Sequence, residues 1–144
     1  MNPALVQIRP FALQDEADVI ALWQACDLVR PWNNPQRDIA RKLGTQPELF
    51  LVALQNQTLV GTAMVGYEGH RGWVYYLAVQ PALQRLSIGR ALMQEAERLL
   101  LDRGCPKINL LVRTTNTSVL AFYAQLGYVQ DDVVSLGKRL IPDM

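Results

Sequence analysis

The sequence has little cysteine, a single histidine and no surplus of either charge. Its two cysteines, Cys26 and Cys105, lie in no CxxC or Cys/His spacing and are too few for a disulfide framework. They read as small buried hydrophobes. With His70 the lone histidine, a zinc site would need an unusual carboxylate set, so no metal is expected. Thirteen acidic residues face fourteen basic ones, for a formal net charge of +1. That balance lacks the basic excess of a dedicated nucleic-acid binder, while leaving room for a local basic pocket. No apolar run approaches the ~18–20 residues of a membrane span, and no basic-then-apolar leader opens the chain. The expectation is a reduced, soluble, cytoplasmic protein without membrane or nucleic-acid partners.

What is present is enough apolar material for one core. Half of the 144 residues are hydrophobic and 19% are charged. At roughly 100–200 residues per domain, residues 1–144 form a single domain. About two thirds of its unfolded surface can be buried on folding, so no covalent staple is needed.

The apolar period switches repeatedly along the chain. Residues 4–10 alternate and predict a first strand. Residues 14–26 predict a helix, with Ala17, Ile20, Ala21 and Gln24 on helical spacing and Val19, Leu22 and Trp23 alongside. Polar Gln24 interrupts that stripe and leaves the buried face open. Residues 27–34 are a loop, and Pro35 suits the first turn of a short helix ending near Gly44. Residues 49–54 and 59–67 predict a hairpin around Gln55, Asn56 and Gln57. Residues 73–79 (WVYYLAV) are the next strand, closed by Pro81. Residues 88–103 carry Ile88, Ala91, Leu92, Ala96, Leu99 and Leu100 on one helical face, stopped by Gly104. A strand is expected over 108–112 and a helix capped by Asn116 and ended by Gly127. One or two strands over 128–140 complete the reading. The fold class is α/β: a mixed, mostly antiparallel central sheet flanked by helices.

The chemistry concentrates between Tyr75 and Tyr128. A strand ending at Val79 leads through Gln84, Arg85, Leu86, Ser87 and Ile88 to Gly89 and the strongest helix. Free amides at a helix start, with Arg85 and Arg90 beside them, suit an anion. Every helix has such a start, so the bland reading stands beside that one. Three segments in order, YYLAVQP, QRLSIGRAL and N-x6-Y-x3-GY, then resemble the GNAT superfamily of acyl-coenzyme A-dependent N-acetyltransferases. The segments CDLVRPWNNPQRDI and GYEGHRG resemble those of a YpeA-like bacterial subgroup.

The resemblance implies a GNAT-like sheet with splayed central strands and acetyl-coenzyme A as co-substrate. It places the pyrophosphate on the amides of residues 85–90 and the pantetheine arm along Leu77, Ala78 and Val79. An amide of that strand would stabilise the oxyanion, and Tyr123 would protonate the leaving thiolate. In this pattern Gln84 and Gly89 match, while Ser87 stands where a glycine is usual. Asn116 matches a position near the coenzyme, and a helix cap explains it equally well. Leu111 stands where relatives that acetylate ribosomal-protein N-termini carry a glutamate. Glu68, with His70, is then the candidate base, against the reading of a solvated turn. Arg30, Trp32 and Asn33 lie on the loop that in this superfamily often borders the acceptor, a small-molecule or peptide amine. Self-association as a homodimer is left open. The rival readings are a non-catalytic coenzyme A-binding module and a structural domain that binds no nucleotide.

Overall fold

The computed structural model describes residues 6–84 and 87–143. Its framework is a five-stranded sheet in the order β1-β2-β3-β4-β5. The strands are β1 (Gln7–Pro10), β2 (Phe50–Gln55), β3 (Thr58–Tyr67), β4 (Gly72–Val79) and β5 (Ile108–Asn109). The first four pair antiparallel, and β4 pairs parallel with β5. Two helices, α1 (Glu16–Ala25) and α2 (Pro35–Leu43), separate β1 from β2. Helix α3 (Ile88–Asp102) follows β4, and α4 (Thr117–Gln125) follows β5.

Strand β2 shows why the sheet is covered on both faces. Leu51 and Ala53 join one buried cluster with Ile88, Leu92, Ala96 and Leu100 of α3. Phe50 and Val52 join the other, with Val19, Leu22 and Trp23 of α1 and Ile39 of α2. Successive side chains point to opposite faces, so an uninterrupted apolar strand needs a helical layer on each side. The turn between β2 and β3 is tight: Asn56 and Gln57 both take positive φ, of 51° and 66°. Two such residues make the turn whose twist matches a hairpin.

The structure corrects the expected helix face in α1. Its buried residues are Val19, Leu22 and Trp23, while Ala17, Ala21 and Gln24 are exposed and Ile20 is half-buried. Val19, Leu22 and Trp23 stand at i, i+3 and i+4, a second helical stripe that contains no polar residue and takes the core.

Two strand expectations also change. The strand expected over 108–112 forms ladder pairs only at Ile108 and Asn109, opposite Gly72 and Trp73. Beyond that point β4 and the chain after β5 diverge, and without a facing edge there is no ladder. The strands expected over 128–140 are not formed, since a two-residue β5 offers too short an edge to extend. Val129, Val133, Val134, Leu136 and Leu140 are exposed there instead. The end of that segment is tied to α2 by buried Asp143, which accepts from the Arg41 guanidinium at 2.7 and 2.9 Å. The pairing with Arg41 holds the Asp143 carboxyl down at about 2. No helix among the described residues is long and apolar enough to cross a membrane.

Candidate active site

The divergence of β4 from β5 makes the cleft. After Trp73, the outer edge of β4 has no strand neighbour among the described residues, although β4 continues to Val79. Backbone groups along Leu77, Ala78 and Val79 therefore border an opening within the sheet. An extended ligand can pair with such an edge as an added strand.

Inside this stretch β4 carries a bulge. Tyr75 faces Met64 and Ala78 faces Thr62, so the single residue Ala63 stands opposite both Tyr76 and Leu77. Tyr76 sits at φ +52°. A side chain with a Cβ pays about 1–2 kcal/mol for that left-handed geometry, so neighbours must hold it there. They do: its ring stacks on Trp23 at 3.8 Å, and its hydroxyl donates to Asp38 Oδ2 at 2.6 Å. A bulge leaves one residue outside the ladder and turns the strand locally.

The start of α3 closes one end of the cleft. A Cβ built on Gly89 would lie 3.2 Å from Phe122 Cζ and 3.7 Å from Val79 Cγ2. The end of β4, the start of α3 and α4 thus converge at this glycine, and a larger residue would push α4 away. Ile88 is buried, Arg90 is exposed, and Arg90 has no acidic partner among the described residues. Gln84 donates from Nε2 to the Val79 carbonyl at 3.2 Å, and the Cys26 thiol donates to the same oxygen at 3.2 Å. Arg85 and Leu86 lie outside the described residues.

Ser87 precedes α3 with φ +72° and ψ 9°. This is the geometry at which a glycine costs nothing and a serine is strained. Ser87→Gly is therefore expected to stabilise the fold by about 1 kcal/mol. A higher urea midpoint at unchanged slope checks it, and an equal or lower midpoint would count against the steric argument.

Helix α4 supplies Tyr123, which is 8% exposed. Its ring packs edge-on against Phe122 at 5.1 Å and Tyr128 at 5.6 Å. The hydroxyl has no hydrogen-bond partner among the described residues, yet it is not sealed from solvent. Burial pushes its pKa up to about 12, so it stays protonated at neutral pH. Neighbouring Tyr128 differs, because its hydroxyl donates to Glu97 Oε2 at 2.7 Å and is already spent. Of the two, Tyr123 is the phenol with a proton to offer. Asn116 caps α4, accepting from the Val119 amide at 3.4 Å.

The candidate base has a structural task. Glu68 accepts from the amides of Arg71 at 2.7 Å and His70 at 3.0 Å, and so holds the exposed turn between β3 and β4. These amides, that of Arg71 first, keep its carboxyl below the usual range. Glu68→Gln is accordingly expected to change kcat far less than the ~10²–10⁴-fold that a general base supplies. Steady-state kinetics check this, and a loss of that size would restore it as the base.

The loop between α1 and α2 reaches across the opening. Exposed Trp32 lies under the guanidinium of Arg113, 5.7 Å from the ring centroid, and Arg113 belongs to the segment after β5. Asn33 donates from Nδ2 to the Tyr76 hydroxyl at 3.4 Å. Arg30 pairs with Asp27 at 3.5 Å. Leu111 is 57% exposed and carries no titratable group. Among the described residues no group of histidine, cysteine and carboxylate side chains could hold a metal.

Sequence reasoning missed Tyr76, Asp38, Thr62 and Arg113 as parts of this site. A left-handed aromatic in mid-strand has no signature in composition or period. Asp38 stands in the first turn of α2, where an acidic residue is ordinary and marks no site.

Comparison with known proteins places this geometry in context. The sequence model described as the Acetyltransferase (GNAT) family matches residues 17–128. A protein of Yersinia pestis named "Acetyltransferase" is 50% identical over 138 residues, covering 96% of this chain and 98% of that protein. The crystal structure of Ard1 from Thermoplasma volcanium superposes with a TM-score of 0.76 at 25% identity, covering 87% of this chain and 83% of that one. The PaiA N-acetyltransferase of Thermoplasma acidophilum, solved in complex with coenzyme A, gives 0.70 at 20% identity over 90% and 92%.

Proposed function

We propose a site and an acceptor class from one premise: the chain belongs to the GNAT family of acetyltransferases, and it is an acetyl-coenzyme A-dependent N-acetyltransferase. The observation that carries the site is the opening beside β4. It is bordered by Leu77, Ala78 and Val79 and ended by the start of α3, where Phe122 meets Gly89; the next residue of α4, Tyr123, carries a phenol with no hydrogen-bond partner among the described residues.

In this reading the pantetheine arm lies along the free edge of β4, and its pyrophosphate meets Ser87, Ile88, Gly89 and Arg90 with Gln84 beside them. Arg85 and Leu86 belong to the same stretch. Asn116 contributes from the cap of α4. An unprotonated acceptor amine attacks the thioester carbonyl, and the amide of Leu77 in the bulge steadies the charge on its oxygen. The C–S bond then breaks, and the sulfur takes the Tyr123 proton. Water removes the proton from the new amide nitrogen, and Tyr123 is reprotonated from solvent. Amide and free thiol leave in equal amounts.

The acceptor we propose is a small-molecule or peptide amine held against Arg30, Trp32 and Asn33. A flat aromatic and a cation at that rim suit an amine that also bears a carboxylate or a planar group. The segments CDLVRPWNNPQRDI and GYEGHRG resemble YpeA-like bacterial members, and the subgroup is proposed on that resemblance; the Yersinia relative supports the broader bacterial acetyltransferase reading. The unit is taken to span residues 1–144, in a cytoplasmic setting. An acceptor screen, with mass spectrometry of the products, tests the class. N-acetylated products confined to amines that carry neither a carboxylate nor a planar group would exclude it.

A further inference from the structure

The bulge in β4 is over-determined, and its tethers come from one particular side. Thr62 on β3 donates from Oγ1 to the Tyr76 carbonyl at 2.8 Å and accepts from Trp23 Nε1 at 2.9 Å. Trp23 on α1 stacks on the Tyr76 ring with only 12° between the planes. Asp38 on α2 receives the Tyr76 hydroxyl at 2.6 Å, and Asn33 on the intervening loop donates to it at 3.4 Å. All but Thr62 belong to the α1–α2 segment, the one proposed to border the acceptor. The residue so held is the left-handed one, immediately before Leu77.

A regular strand would pair with β3 residue for residue, whereas here Ala63 faces two residues of β4. Strain that several elements jointly maintain beside a reaction centre is a mark of function. The strain here fixes the direction of the backbone at Leu77, where displacement by an ångström costs a large factor in rate.

We infer that Tyr76 is a positioning residue, whose hydroxyl, anchored on Asp38, holds the β4 bulge so that the Leu77 amide meets the thioester carbonyl. Through Asn33 and Asp38 the acceptor-bordering segment also sets that geometry. The inference rests on the proposed placement of the thioester along β4.

Three variants test it in the full chain: Tyr76→Phe, Asp38→Ala and Asp38→Asn. Phenylalanine keeps the ring on Trp23 and removes only the hydroxyl. Asparagine keeps an oxygen that accepts from that hydroxyl, and alanine does not. Tyr76→Phe and Asp38→Ala are expected to lower kcat about tenfold or more, with coenzyme A affinity within about twofold of the parent. Asp38→Asn is expected to recover most of the lost turnover. Unchanged kcat in Tyr76→Phe overturns the inference. So does a parallel loss of kcat, coenzyme affinity and thermal midpoint, or an Asp38→Asn variant as slow as Asp38→Ala. The parent protein separates this from the underlying reading: if it binds coenzyme A but acetylates no amine, both fall, whereas normal parent turnover with an equally fast Tyr76→Phe removes only the positioning role.

Discussion

Tyr123→Phe is expected to lower kcat about 10²-fold while leaving coenzyme A affinity unchanged. The substitution removes one oxygen from a ring that keeps its edge-on contacts with Phe122 and Tyr128. The hydroxyl bonds to no described residue, so its loss breaks no hydrogen bond among them. The pH dependence follows from the same site. Burial raises the Tyr123 pKa to about 12, so the acid form persists across the range in which the protein is assayed. The kcat profile of the parent should then show no descending limb from this group between about pH 6 and 10. Stopped-time assays of thiol release across that range check both statements. Unaltered turnover in Tyr123→Phe would remove the tyrosine from the mechanism.

The second large effect is on stability. Trp23→Ala is expected to destabilise the fold by about 3–5 kcal/mol, read as a lower urea midpoint at unchanged slope. Trp23 is fully buried between Phe50 and Tyr76, so truncation opens a cavity that two rings line. It also removes the Nε1 hydrogen bond to Thr62. Trp23→Phe separates these contributions, because it refills much of the volume without the donor. It should cost about 1–2 kcal/mol, in keeping with a lost hydrogen bond and incomplete filling. A Trp23→Ala midpoint close to the parent's would mean that the α1 layer contributes little to holding β4.

The two predictions probe opposite faces of one strand, and the sequence revealed them unequally. Tyr123 was readable because its helix has a polar cap at Asn116, a glycine stop at Gly127 and a spacing shared with a known family. Trp23 was visible only as an apolar neighbour of the expected stripe. The actual face, Val19, Leu22 and Trp23, keeps the same helical spacing as the expected one, so period alone does not choose between them. The hairpin of β2 and β3, the α3 face and the helix start at Pro35 were legible because local turn chemistry and apolar period agree there. The length of β5 was not, since it depends on where two strands diverge. Residues 128–140 carry strand-forming side chains but find no ladder partner, and propensity without a partner edge does not make a strand. The bulge at Tyr76 depends on contacts from α1, α2 and β3 at once, which no single window of sequence contains.

Ser87 shows the reverse case. Its departure from the usual glycine was visible in the sequence, and the positive φ in the structure gives that departure a physical cost. Two non-glycine residues at positive φ, Ser87 before α3 and Tyr76 in β4, flank the stretch 77–79. One has no evident compensation among the described contacts, whereas the other is tethered from three elements.

In the proposed reaction the acetyl group passes directly to the amine within the opening beside β4, without an acetylated enzyme. Its most direct test is a single-turnover reaction with acetyl-coenzyme A and an amine from the acceptor screen. Product amide, free thiol and the mass of the intact protein would be followed together. Amide and thiol are expected to appear at the same rate and in equal amounts, with the protein mass unchanged throughout. A protein that gains an acetyl group before amide appears, or that releases thiol without forming amide, would contradict it.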